Sequence, residues 1–300
     1  MLSQHRSPES VRGFFAAGSC YLFWGLVPVY WKQLKHVDSY ELIAHRHVWS
    51  LLVVLVLVVV QRGGGAVLAT LRQPRQIATN LLSSLLLTTN WLIYVIGVNT
   101  GHVTECSLGY FLVPLVNVAT GRFVLHEQLR PLQWLAIASA ALGVALMVVQ
   151  LGQVPWIALA LAGSWGAYSL MRKQTKLTAV TGLAVETLLL APFAVAYLIW
   201  RQTTGEGVLG HADATTQVLV MNAGFITAIP LLLFAYGARR IQLSTLGLLQ
   251  YVSPSIQLLL AASVYGESFT AERAYSFAFI WVGLVLYSID GLRGQRALRR

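Results

Sequence analysis

This sequence is short of charge. Asp, Glu, Lys and Arg make up 11% of its 300 residues, while 56% are hydrophobic. A soluble domain carries roughly 25% charged residues to coat its wet surface. A mean hydropathy of +0.65 agrees that a large water-facing surface is excluded. Cysteine is nearly absent too: Cys20 and Cys106 stand alone in apolar surroundings and read as small packing residues, with no disulfide framework. Catalytic signatures are missing. No G-x-x-x-x-G-K-[ST] loop occurs, so there is no recognisable ATP motor. No G-x-S-x-G elbow occurs. His126-Glu127 begins an H-E-x-x-H zinc pattern that fails at Arg130. Neither an enzyme nor a cofactor nor a metal is expected.

Long apolar runs take up the space instead. A hydrocarbon core of about 30 Å needs about 20 apolar residues per helix. Ten candidate spans fit: 11–31, 41–60, 77–97, 103–121, 132–150, 155–171, 182–200, 216–236, 242–262 and 274–290. The expectation is an all-α integral membrane protein with the lipid bilayer as its surroundings. Ala17-Gly18-Ser19-Cys20 has the look of a lipoprotein processing site, but the apolar run continues to Trp31, so it reads as a retained first helix.

The net charge of +10 would suggest nucleic acid in a soluble protein. Here it is read as loop charge, with no nucleic-acid partner. With ten helices and the N-terminus inside, Lys32, Lys35, Arg46, Arg201 and Arg273 fall outside, and the other sixteen of the 21 Lys and Arg fall inside. The positive-inside bias then places both termini in the cytoplasm.

The chain repeats itself. Gly97, Pro114, Glu127 and Gly143 return 140 positions later as Gly237, Pro254, Glu267 and Gly283. Trp24-Gly25 and Lys32-Gln33 return as Trp165-Gly166 and Lys173-Gln174, 141 positions later. The expected units are 11–150 and 155–290, with 291–300 as a basic cytoplasmic tail. Five helices per unit is an odd number, so the second unit must sit upside down. Inverted repeats of this kind are typical of secondary transporters, with a substrate site near the midplane between the copies.

Polar groups on these spans are candidate site residues. The fourth span puts Ser107, Tyr110, Pro114, Asn117 and Gly121 on one face, and the ninth puts Gly247, Gln250, Pro254, Gln257 and Ala261 on the matching face. One reading makes Tyr110, Asn117, Gln250 and Gln257, with the adjacent Tyr251, the lining of a substrate cavity, with Pro114 and Pro254 as hinges. The other makes both stripes close helix packing with static kinks. Trp24, Asn90, Tyr94 and Trp165 stand far enough from the span ends to line the same cavity; the alternative is an interfacial aromatic belt.

Four charged or titratable groups are read as gate or coupling sites. Glu41 and His45 share one face of the second span, and Arg46 lies deeper, with Glu41 the nearest carboxylate in sequence. His45 can titrate near neutral pH, which would make protons a coupling partner. The alternative has these charges snorkel to headgroups. Glu186 is a carboxylate inside the seventh span, with a functional and an interfacial structural reading. Glu127 and Glu267 read as elbow-fixing groups that accept bonds at the start of the following helix or pair with Arg.

The segments FWGLVPVYWKQL, ELIAHRHVWS, NWLIYVIGVNTGHVTECSLGYFLVPLVNV, TAIPLLLFAYGARRIQLSTLGLLQYVSPSIQ and FAFIWVGLVLYS resemble RarD-type proteins, a branch of the EamA group in the drug/metabolite transporter superfamily. The resemblance covers about residues 11–290. It implies two inverted five-helix EamA units, a bacterial cytoplasmic membrane and transport of small organic solutes. It also implies a basket-shaped cavity lined mainly by spans 1, 3, 4, 6, 8 and 9. The branch's motif positions fall on Glu41, His45, Arg46, Asn90, Trp91, Tyr110, Pro114, Arg172, Lys173, Gln250, Tyr251 and Pro254. The chain departs from the branch at Val113, at Thr120-Gly121-Arg122 and at His126-Glu127-Gln128. The expected function is a secondary transporter of a small metabolite, amino-acid-like solute or amphiphilic drug, by alternating access. The rival readings are a non-transporting membrane scaffold and an intramembrane enzyme.

Overall fold

The computed structural model describes residues 8–263 and 271–297. Among the described residues there are helices and no strands. In order they are α1 (Pro8–Gln33), α2 (Ser39–Val60), α3 (Gly64–Leu71), α4 (Pro74–Asn99), α5 (Val103–Phe123), α6 (Pro131–Leu151), α7 (Trp156–Gln174), α8 (Ala179–Thr203), α9 (Ala214–Ala238), α10 (Leu243–Gln250), α11 (Val252–Ser263) and α12 (Ala271–Ala297). Eight segments are long and apolar enough to cross a membrane: α1, α2, α4, α5, α6, α8, α9, and α10 with α11 taken together. Within α12, Ala274–Asp290 is a shorter apolar stretch. Many large apolar side chains point outward; Phe15, Val59, Val149 and Phe193 are each more than 60% exposed. Such a surface would aggregate in water. In a bilayer it meets lipid, and the chain is a multi-pass membrane protein.

Helix ends carry local signals. Asp38 and Asp213 cap α2 and α9 by accepting from the amides of Glu41 and Thr216. The Thr216 hydroxyl also donates to Asp213, and together these bonds hold its carboxyl below the usual carboxylate range. Pro74 and Pro131 open α4 and α6, where a missing N–H is harmless.

Three sequence expectations need correction. The short helix α3 fills a stretch read as loop. Its eight residues are too few to cross a bilayer, so hydropathy alone passes over it. The ninth span is two helices: α10 ends at Gln250 and α11 begins at Val252. A proline clashes with the carbonyl four residues back. Pro254 therefore opposes Gln250, and the break puts it in the first turn of α11, where no intrahelical donor is needed. Pro114 sits at the matching place in α5, which runs unbroken. Third, α12 continues to Ala297, so most of the expected tail is helix. Glu267 lies outside the described residues.

The packing repeats at the sequence offset. α1 packs against α9, α10 and α11, while its counterpart α7 packs against α4 and α5. α2 packs against α8, and α5 against α10. α6 and α12 pair with each other at the periphery. Several contacts join a residue to its own counterpart. Tyr251 Oη donates to the carbonyl of Phe111 at 3.2 Å, and Ser139 Oγ to that of Phe279 at 2.7 Å; both pairs are 140 apart. The rings of Trp24 and Trp165 meet edge to face at 5.2 Å.

Glycine makes the closest approaches possible. A Cβ on Gly143 would lie 2.5 Å from the carbonyl oxygen of Ser276, and one on Gly283 would lie 2.6 Å from that of Ala136. Positions 143 and 283 correspond, as do 136 and 276. Backbone cannot yield as a flexible side chain can. Gly143→Val is expected to lower the thermal unfolding midpoint in detergent by an overpacking cost of about 1–3 kcal/mol or more. Gly163→Ala, where an added Cβ meets nothing within 4 Å, serves as the tolerated control. An unchanged midpoint for Gly143→Val would mean that the α6–α12 seam is looser than described.

Candidate functional site

A cavity of about 370 Å³ lies inside the bundle. Its wall draws on both halves of the chain. α1 gives Tyr21, Trp24, Pro28 and Trp31; α2 gives Arg46; α4 gives Asn90, Trp91 and Tyr94. α5 gives Ser107, Tyr110 and Phe111. From the second half come Trp165 of α7, Ile226 and Thr227 of α9, Gln250 of α10, and Ser253, Pro254 and Gln257 of α11. The lining lies on the last half of α1 and α4 and the first half of α2 and α5, so the cavity occupies one half of the bundle's depth. It reaches Val103, the first residue of α5, which is 55% exposed.

Aromatic rings close the other half. Trp24, Trp165 and Phe234 form a triangle with centroids 5.2–6.0 Å apart, and Tyr168 stacks on Phe234 at 5.9 Å. Tyr168 and Phe234 are fully buried. Beneath this floor, helix ends are tied together. Glu127 accepts from the amides of Leu243 and Ser244 at 2.6 and 3.0 Å and from the Ser244 hydroxyl at 2.7 Å. It thus caps α10 in the other half of the chain, not the helix that follows it. Lys173 donates to the Ile241 carbonyl.

Prolines shape the wall. A proline inside a helix leaves the carbonyl four residues earlier without its usual donor. Pro28, Pro114 and Pro230 do this to Trp24, Tyr110 and Ile226, while Pro254 opposes Gln250 across the α10–α11 break; all four of those residues line the cavity. The Gln257 amide supplies the Trp24 carbonyl with a replacement donor at 3.2 Å.

Of the residues expected to line a cavity, Trp24, Asn90, Tyr94, Tyr110, Trp165, Gln250 and Gln257 are on its wall. Asn117 and Tyr251 are not. Asn117 is fully buried two turns below Tyr110, where its amide donates to Gln250 Oε1 at 3.5 Å. Tyr251 follows Gln250 directly, so it points about 100° around the helix, onto Phe111. The notable omissions are Thr227 and Ser253, small polar residues amid apolar neighbours. A one-helix wheel gives such residues no weight.

The four proposed gate or coupling residues separate. Arg46 alone lines the cavity. Its guanidinium carbon lies 4.1 Å from the ring centre of Trp91 and 4.8 Å from that of Trp31, and its Nε donates to Thr227 Oγ1 at 3.0 Å. Glu41 is not its partner. Five residues of helix turn the two side chains about 140° apart. Glu41, 1% exposed, faces α8 instead. Its carboxylate accepts from Arg201 at 3.3 Å and from the amide of Val208 at 2.7 Å. His45 Nε2 stands 3.6 Å away, beyond hydrogen-bond range. Together with the Arg201–Glu206 ion pair, Glu41 clasps the loop between α8 and α9.

Glu186 is buried near the opposite end of α8, where it accepts from Ser83 at 2.6 Å and pairs with Arg172 at 3.2 Å. Arg172 was expected in a basic loop; it is 1% exposed. Position 186 corresponds to position 46, and 172 to 31, so one half holds Arg46 against an indole and the other holds a buried ion pair. Among the described residues no cluster of His, Cys, Asp or Glu could hold a metal.

Comparison with known proteins decides the family. Residues 11–149 and 154–289 each match the EamA-like transporter family. This chain belongs to that family. An uncharacterized transporter of Vibrio cholerae is 43% identical over 292 residues, covering 97% of each chain. The protein RarD of Salmonella typhi is 40% identical over 96% of this chain and 98% of its own. A solved crystal structure aligns over 95% of this chain and 99% of that one, with TM-score 0.70 and 23% identity, which shows a shared fold. The RarD resemblance read from the sequence is thereby borne out, and the family is one of membrane transporters.

Two expectations follow from the ion-pair geometry. Arg172→Met alone strands a buried Glu186 and should destabilise the protein by about 3–5 kcal/mol, most of it recovered when Glu186→Leu is added. Thermal unfolding of the single and double variants checks this; a double variant no better than the single would argue against the pair. Glu41→Gln removes the charge that holds Arg201 and weakens the bond from Val208. Hydrogen exchange in 204–213 should then quicken about tenfold or more, the equivalent of one charged hydrogen bond.

Proposed function

We propose that this chain is a secondary transporter of small organic solutes, working by alternating access around the cavity. The observation that carries the reading is a space of about 370 Å³ that draws its wall from both halves of the chain and stops at an aromatic floor. Ligand cavities of roughly 300–1,000 Å³ suit small molecules. A scaffold with fully packed polar stripes would hold no such space.

The wider reading is ten crossings in two inverted units, 11–150 and 155–290, with α7 as the sixth crossing and α10 with α11 as the ninth. The separate family matches of residues 11–149 and 154–289 support it, as does the alternation of helix ends. Arg130, Arg172, Lys173, Arg239 and Arg240 gather where α6 and α10 begin and α7 and α9 end. By the positive-inside bias that end faces the cytoplasm, both termini included. The membrane is then the bacterial cytoplasmic membrane, and the cavity opens outward. Inversion supplies the opposite state: the two halves exchange conformations, the floor opens and the outer mouth closes. Gln250 stands at the break between α10 and α11 and is the lining residue on which that exchange turns.

Purified protein in proteoliposomes is expected to move one of several pooled solutes (amino acids, metabolites, amphiphilic drugs). Gln250→Leu should abolish that movement in protein that still folds, with the unfolding midpoint lowered by the loss of the acceptor for the buried Asn117 amide, a cost of about 1–3 kcal/mol. Accumulation that needs a pH gradient would assign proton coupling and bring Glu41 and His45 into the mechanism. Movement of nothing by demonstrably folded protein would sink the transporter reading.

A further inference from the structure

Arg46 has no acidic partner among the described residues. Its guanidinium meets Trp31, Trp91 and the Thr227 hydroxyl, and among the described residues only its Nε is used in a hydrogen bond. A guanidinium carries five N–H donors, so the four on its terminal nitrogens remain. Among the described residues, no Asp, Glu, Lys or His stands on the cavity wall beside it. The one formal charge facing the cavity among the described residues is therefore positive.

The indoles hold the guanidinium in place. Trp31 and Trp91 flank it from α1 and α4, and Thr227 fixes Nε from α9. A planar cation whose orientation is set before a ligand arrives suits a planar anion, because the guanidinium fork matches the two oxygens of a carboxylate. The rest of the wall is aromatic. Tyr94 and Tyr110 pack edge to face at 5.6 Å on one side, and Trp24 and Trp165 form the floor. Arg46 is half-buried on the cavity wall; drawing an unpaired charge partly out of water is costly, and cation–π contacts offset only part of that cost.

We propose that Arg46 is the anchor for the carboxylate of an aromatic organic acid, with the ring of the ligand lying between the tyrosine pair and the tryptophan floor. This inference rests on the cavity being the substrate site, and it names the class of solute that site takes. Trp24, Trp91 and Trp165 report on binding directly, because a ring seated among them changes their fluorescence.

The test uses full-length protein in phosphatidylcholine nanodiscs, with phenylacetate and indole-3-acetate as probes beside their uncharged amides. Wild type should bind each acid about tenfold or more tightly than its amide, the usual size of a charged hydrogen bond. Arg46→Gln should reduce that preference to about twofold or less, and Arg46→Lys should retain part of it, since lysine keeps the charge but not the fork. Thermal unfolding establishes that each variant is folded. Equal binding of acid and amide by wild type would overturn the proposal, as would an acid preference that survives in folded Arg46→Gln, or the lack of any saturable acid binding. Transport in proteoliposomes separates the two readings. Movement of neutral solutes without acid preference keeps the transporter and removes the anion site. Acid binding without movement keeps the anion site and removes the transporter.

Discussion

Close backbone approach along the seam between the two halves is the constraint on which the structure depends. No hydrophobic drive pulls helices together inside lipid, so association rests on close packing and hydrogen bonds. The seam supplies both. Gly25 lies against Ile256 and Gly166 against Val116, and these contacts correspond to each other, as do those of Gly143 and Gly283. Tyr251 and Ser139 donate across the seam to carbonyls of their own counterparts. A contact made twice has to suit both copies, which leaves little room for side chains of a different size. The cavity follows from this: where the tight seam gives way to the proline-bearing stretches of α1, α5, α9 and α11, the halves part and a space opens.

Much of this was legible in the chain. Hydropathy located the long apolar helices but passed over α3 and the α10–α11 break, and the 140-residue offset identified which elements correspond. The cavity face of α5 could be read as far as Tyr110, because polar residues at steps of three and four do share a face. The reading failed lower down, at Asn117, for a physical reason. A helix wheel assigns direction around the axis but not depth, and below the Trp24–Trp165 floor the same face of α5 meets α10 instead of open space. Glu41 and Arg46 failed as a pair because nearness in sequence was given more weight than helical phase. Glu186 could not be placed from sequence at all. Its partners Ser83 and Arg172 come from α4 and α7, and only the folded bundle brings those three helices to one point.

The two ends of the bundle are built differently. At the cavity end, polar contacts hold the α8–α9 loop and tie α1 to α9: Glu41 clasps Val208, Tyr30 donates to the Leu219 carbonyl, and His36, just past α1, meets Thr216 at 3.0 Å. At the closed end they hold helix termini, through Glu127 on α10 and Lys173 on the α9–α10 junction. Loops can swing without unfolding a helix, whereas a capped terminus moves with its whole helix.

The pairing of position 46 with 186, and of 31 with 172, separates two sorts of freedom in a chain made of like halves. At the seam, a residue is its counterpart's neighbour, and the two are bound to a common fate. Off the seam, counterparts never meet, so each half can acquire its own chemistry without asking the other to follow. Tryptophan with arginine in one half and arginine with glutamate in the other is the outcome of that independence. Symmetry here is a property of the framework, and individuality is confined to the places the framework leaves alone.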